Sequence, residues 1–325
     1  MTKPVDLSVP KPRLARYTKQ ERRAAQLPPP PDGERELIKN IPPRDNVAIG
    51  VRRCLIAVAV AFVLLMLVLP LVLVVVNSLG RGLDFYWQAV SAKYTLAALR
   101  VTAVATLAAV AVNTLFGLVA AWLLTKFDFR GRSLLSTAID VPFSISPVIA
   151  GLAFIMTFGR MGWAKPLLDW LNGLLGTDIS LVFSIPGVVL ATIFVTFPFV
   201  SRELIPVLNA QGRDEEEAAA LMGAKGLTIF RRVTFPHIRW ALLYGVVLCT
   251  ARALGEFGAV YALSKTRGKT FTLPLEVDAL YMSGGEAAVT QAFAVSSLLV
   301  VLAVIILILR NIAEYRARRA GEFRR

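Results

Sequence analysis

Six stretches of about 20 mainly apolar residues, at 54–76, 96–124, 134–158, 181–200, 240–263 and 289–309, constrain this chain more than any other feature. Hydrocarbon offers a peptide group no hydrogen bonds, so a stretch of this length enters a bilayer as a helix that satisfies its own N–H and C=O groups. The expected fold class is therefore an all-α membrane protein with six transmembrane helices. Composition agrees: apolar types make up 56% of the residues and mean hydropathy is +0.61, against an apolar share of about 45–50% in soluble domains. The first stretch is too long and too far from the N-terminus for a signal peptide, and no small-residue cleavage site follows it. Pro142, Pro147, Pro186 and Pro198 interrupt the third and fourth stretches, and Asp140 there needs a partner or water. Broken helices of this kind are tolerated where protein satisfies the freed backbone groups, which predicts that these two spans pack inside the bundle.

Lys and Arg set the sidedness. Twelve lie in 1–53, three in 126–133, six in 202–239 and six from Arg310 onward, against seven on the opposite side. Both termini are accordingly expected in the cytoplasm. On the outer side, 162–176 reads as an interfacial amphipathic helix with Trp163 and Trp170 at headgroup level. The net charge of +14 is spread between apolar runs and at both ends, with no single basic patch interleaved with aromatics, which excludes nucleic acid as a partner. Cys54, Cys249 and the single His237 form no metal-ligand spacing or disulfide framework. The domain reading is a disordered cytoplasmic tail at 1–50, a six-helix membrane domain at 51–315 with a cytoplasmic loop at 209–239, and a basic cytoplasmic tail at 316–325.

The segment 214–236 stands apart from its apolar surroundings. Asp214 is placed to cap a helix whose third residue is Glu217, with Ala218, Leu221 and Met222 on one face and Gly223 as its left-handed stop. Phe230 and Val233 continue the apolar pattern, and Pro236 is expected to break the chain before the fifth span. Such a helix can lie on lipid through Lys225, Arg231 and Arg232. An anionic surface would repel Glu215, Glu216 and Glu217, however, so a protein partner is the better reading.

The chain carries no nucleotide fingerprint of its own. Gly268-Lys269-Thr270 imitates the end of a phosphate-binding loop, but Leu263 stands where its first glycine belongs, and the triplet is read as an outer loop. No nucleophile elbow, zinc pair or cofactor motif is present. If ATP drives this protein, another chain binds it. Inside the fifth span, Arg252 and Glu256 are four residues apart and can pair. Each would cost about 2.5–3.5 kcal/mol unpaired. They are either a structural lock or a positive station on an anion path, with Gly255 and Gly258 allowing a close helix neighbour under both readings.

Residues Glu217-Ala218-Ala219, Gly223, Val233 and Phe235-Pro236 resemble the EAA loop of ABC importer permeases, with its spacing intact and two apolar substitutions, Val233 for Ile and Phe235 for Leu. The stretches Arg252 to Val260, Thr196 to Leu204, Phe235 to Leu242 and Asp140 to Val148 are similar to the CysW-type permease subunit of sulfate/thiosulfate importers. That resemblance covers most of 95–310 and implies a type I importer permease (MetI-like) fold and a non-enzymatic, multi-pass subunit of a bacterial inner membrane. It implies that Glu217, Ala218, Ala219, Gly223, Val233 and Pro236 carry coupling to an ATPase dimer. It further implies a second, CysT-type permease, a periplasmic sulfate/thiosulfate-binding protein, and ATP and Mg held by the ATPase rather than by this chain. The Gly-Glu-Phe-Gly-Ala part is shared with molybdate permeases, so a molybdate or tungstate importer is the nearest alternative. A self-contained channel or secondary transporter is a distant one, because it gives no reason for the Glu217 to Pro236 pattern.

Overall fold

The computed structural model describes residues 49–319, and every regular element among them is helical. The tail read at 1–50 lies outside these residues except at its last two positions, as does 320–325. The chain divides at Leu69/Pro70 into two units. The first contains α1 (Ile49–Val63) and a π-helical turn (Leu64–Val68). The second contains α2 (Leu69–Ser78, from Pro70), α3 (Leu83–Val90), α4 (Lys93–Lys126), α5 (Arg132–Ser144), α6 (Pro147–Phe158) and α7 (Lys165–Leu175). It continues with α8 (Ile185–Thr196), α9 (Pro198–Gln211), α10 (Asp214–Leu221), α11 (Gly226–Ile229) and a second π turn (Phe230–Thr234). The last four helices are α12 (Phe235–Leu254), α13 (Gly258–Leu263), α14 (Leu273–Met282) and α15 (Glu286–Arg319), so the last helix runs past the expected boundary at 315.

Five helices among the described residues are long and apolar enough to cross a membrane: Gly50–Ser78, Lys93–Lys126, Ile185–Gln211, Gly226–Leu254 and Glu286–Ile312. A sixth crossing is made if α5 and α6, which meet at 110°, count as one span. The bend follows from Pro147, since a residue before proline is pushed out of the helical region. Ile145 and Ser146 are extended accordingly, with ψ of 133° and 131°. At Pro198, by contrast, Phe197 keeps helical angles and the chain passes on without a break. Pro147 and Pro198 both open a helix, so the difference lies in the residue before each, extended at Ser146 and helical at Phe197. This fourth span is half buried, the most of the five, as expected, whereas the third, also expected inside the bundle, is mostly exposed in the single chain, with only Ile139, Pro142, Ala150 and Gly151 buried in α5 and α6.

Pro236 does not break the chain either. The preceding π turn places the Phe235 N–H on the Phe230 carbonyl, and the helix continues through the proline. Pro70 shows the same arrangement, with Leu69 N–H on the Leu64 carbonyl. Widening the helix by one residue just before a proline accommodates its ring where a regular turn would be crowded.

The core of the second unit is built on the small-residue face of α4. Ala98, Thr102, Ala105, Ala109, Asn113, Gly117 and Ala121 recur every three or four residues and are all buried. Val200 of α9 fits between two glycines, since an added Cβ would stand 2.9 Å from Val200 Cβ at Gly117 and 3.1 Å from Val200 Cα at Gly245 of α12. Asn113 joins the same three spans by donating to Thr196 Oγ1 at 2.8 Å and reaching Cys249 Sγ at 3.7 Å.

Candidate functional site

The segment leaving α9 turns at Gly212 and enters α10 at Asp214, which is the first helical residue and gives no side-chain cap; the expected capping role falls to no side chain. The acidic first turn still complements the positive helix end. At the other end the stop is as expected. Gly223 has φ +84°, its N–H bonds Ala220 O at 2.9 Å, and the Ala224 N–H bonds Ala219 O at 3.1 Å. This pair of bonds defines a Schellman closure. The result is a rigid two-turn helix followed by a reversal.

Of the three glutamates, the one turned inward is Glu216. Its Oε1 accepts from Thr234 Oγ1 at 2.6 Å and lies 3.1 Å from Lys126 Nζ, whose side chain is only 6% exposed. Lys126 also donates to the Gly212 carbonyl. Asp128 lies 2.8 Å from Arg132 and 3.4 Å from Arg213, and Trp122 meets Phe127 and Phe230 edge-on at 5.1 and 6.2 Å. The end of α4 therefore braces the segment at several points. Sequence reading missed Lys126, Glu216 and Thr234 as a group, because they lie up to 108 positions apart and nothing in the local pattern marks Glu216 from its neighbours.

Of the residues expected to carry coupling, Glu217 and Ala218 are exposed, Ala219 is buried beneath the helix, and Val233 and Pro236 are half-buried in the returning strand of helix. The three residues expected on one apolar face, Ala218, Leu221 and Met222, are all exposed. Leu221, at 90% exposure, stands outward with Met222 and Leu227, while Ala219 supplies the inward contact. Three large exposed apolar side chains around one helix end form a surface suited to a protein groove.

Arg252 lies in the last turn of α12, not in the middle of a span, because that helix ends at Leu254 and the chain is non-helical to Phe257. Its Nη1 is 2.5 Å from Glu256 Oε2. Glu256 is 1% exposed, and its Oε1 accepts the Ala259 N–H at 3.0 Å, capping α13. Arg252 itself is 32% exposed. Gly258 makes the close approach expected of it, an added Cβ standing 3.0 Å from Pro147 Cβ, whereas Gly255 faces no neighbouring helix.

At the end of the bundle away from Lys126, Arg267 holds the fully buried Glu276 through Nε at 3.0 Å and Nη2 at 2.5 Å and lies over the Tyr94 ring. This bonding holds the Arg267 guanidinium above the usual arginine range. Gly268-Lys269-Thr270 lies in the same loop, where Thr270 bonds Ser264 and Thr266, and among the described residues no strand precedes it.

The bundle thus carries, between two of its spans, a braced helix with an exposed apolar tip. Residues 113–321 match the family described as binding-protein-dependent transport system inner membrane component, and the chain belongs to that family. It is 46% identical over 242 residues to the sulfate transport system permease protein CysW of Escherichia coli K12, a match covering 74% of this chain and 80% of the relative. The corresponding CysW of Synechocystis is 45% identical over 268 residues, covering 82% and 94%. A probable sulfate transport system permease protein cysT of Marchantia polymorpha is 40% identical over 169 residues, covering 52% and 57%. Among solved structures, a bacterial ABC transporter that imports alginate has a TM-score of 0.65 at 17% identity, covering 83% of this chain and 95% of that one. At that identity the likeness bears on the fold, which is of the MetI-like importer kind.

Proposed function

We propose that this chain is one permease subunit of an ATP-driven sulfate/thiosulfate importer. It forms half of the path beside a second, CysT-type permease and takes its cargo from a periplasmic binding protein. In this reading both termini and the 209–239 segment face the cytoplasm, and a dimeric ATPase partner holds the ATP and Mg. No bond is made or broken by this chain. Its work is to convert movement of α10 into movement of the spans.

The observation that carries the reading is the α10 segment. Its helix is closed at Gly223 and tied to α4 through Lys126 and Glu216, and it turns Leu221 and Met222 outward. A lever needs both features, a face for the motor and a stiff link to what it moves. Glu217, Ala218, Ala219, Gly223, Val233 and Pro236 would carry the coupling surface and its supports. Within the path, Glu256 suits a structural role because it caps α13, while the partly exposed Arg252 suits the outer approach of an anion.

Co-expression with candidate partner chains, followed by purification on a tag carried by this chain, tests the proposal. The expected result is a complex holding a different permease chain and two ATPase copies that takes up sulfate only with ATP. A complex with two copies of this chain that takes up molybdate in place of sulfate would overturn it.

A further inference from the structure

A second pair of charges lies toward the α10 end of the spans, at Asp140 of α5 and Arg202 of α9, the latter two residues past the apolar stretch 181–200 and nine residues, or about 14 Å of helix, from the Gln211 end. Arg202 Nε donates to Asp140 Oδ1 at 2.9 Å, and its guanidinium carbon lies 4.5 Å from the centre of the Phe143 ring. One edge and one face of the guanidinium are thereby fixed. Its Nη1 and Nη2 groups have no partner among the described residues, and the two charged side chains are 53% and 43% exposed. They border a cavity of ≈270 Å³ walled by Leu124, Ser136, Ile139 and Ile205.

Half-exposed charges at the end of a span turn to water or protein in preference to hydrocarbon. An oriented guanidinium with its terminal edge open matches the paired oxygens of a tetrahedral oxyanion. Asp140 on the other edge neutralises the pair and repels a dianion, which keeps any binding weak. Weak binding suits a site that an ion must leave as readily as it enters. We infer that the open edge of Arg202, with the Ser136 hydroxyl on the same cavity wall, is a transient oxyanion site at the end of the path nearest the α10 segment. The inference rests on the proposed function for its cargo and for the side on which the ion emerges.

The test uses the assembled complex in inside-out vesicles, with Cys54 and Cys249 replaced by Ala and with Ser136→Cys. A negatively charged methanethiosulfonate should label the new thiol about two- to threefold faster than a positively charged one, since the Asp140 carboxylate offsets most of the guanidinium's field. Sulfate should slow the labelling, and Arg202→Gln should abolish both effects. Equal rates, a preference that survives Arg202→Gln, or a thiol buried against the second permease and unreactive would overturn the site. Protection by molybdate but not by sulfate would uphold the site and overturn the cargo. Sulfate uptake that persists without the charge preference would do the reverse. If Ser136→Cys does not assemble, uptake kinetics decide: Arg202→Gln should lower maximal uptake about tenfold with KM unchanged, Arg202→Lys should recover part of it, and an unaltered maximal rate in Arg202→Gln contradicts the proposal.

Discussion

Glu256 is held at both oxygens by different elements, Arg252 at the end of α12 and the Ala259 N–H at the start of α13. Removing the cation therefore does more harm than removing the charge it balances. Arg252→Leu strands a buried carboxylate and should cost about 3–5 kcal/mol. Glu256→Gln keeps an acceptor for Ala259 and should cost about half as much. Thermal unfolding of the two variants in detergent checks this order, and equal losses would contradict it. At Gly223 the backbone itself is the constraint. A β-branched residue at φ +84° is strained by about 1–2 kcal/mol or more, so Gly223→Val should leave the spans inserted while uptake per ATP hydrolysed falls about tenfold. Normal uptake with Gly223→Val would contradict the role given to the reversal.

At the scale of elements, the brace between α4 and α10 decides whether the segment moves alone or with the bundle. Lys126→Met leaves Glu216 with only Thr234 and should loosen α10 by about 3 kcal/mol, seen as faster hydrogen exchange across 212–224. Exchanging the charges, with Lys126→Glu and Glu216→Lys together, should restore protection that each change alone removes. Failure of the double exchange, with both singles harmless, would remove the brace from the mechanism. The elements themselves were largely legible in the sequence, because a bilayer admits few alternatives to a helix. What was not legible arises between distant residues. The Arg202 partner of Asp140 lies 62 positions away, and Lys126 lies 90 positions before Glu216. Pro236 was read as a break because proline removes one N–H. The π turn before it had no local signature, so the continuous helix was not foreseen.

Across the whole of the second unit, the features fall on two ends. The Lys126 and Glu216 brace and the α10 segment share one, and the Arg267 and Glu276 clamp belongs to the other. Two arginines, Arg252 and Arg202, lie toward opposite ends, each oriented by one carboxylate. In the proposed reading, an anion moving between them would pass from one weak positive station to the other, the second lying toward the α10 end. The central claim is that a separate motor protein grips the exposed tip of α10. Site-directed cross-linking from Leu221→Cys in the assembled complex tests it most directly. The expected result is a cross-link to the ATPase subunit whose yield changes when ATP is added. A thiol there that never meets the ATPase, yet reacts with an impermeant reagent outside intact cells, would contradict the account.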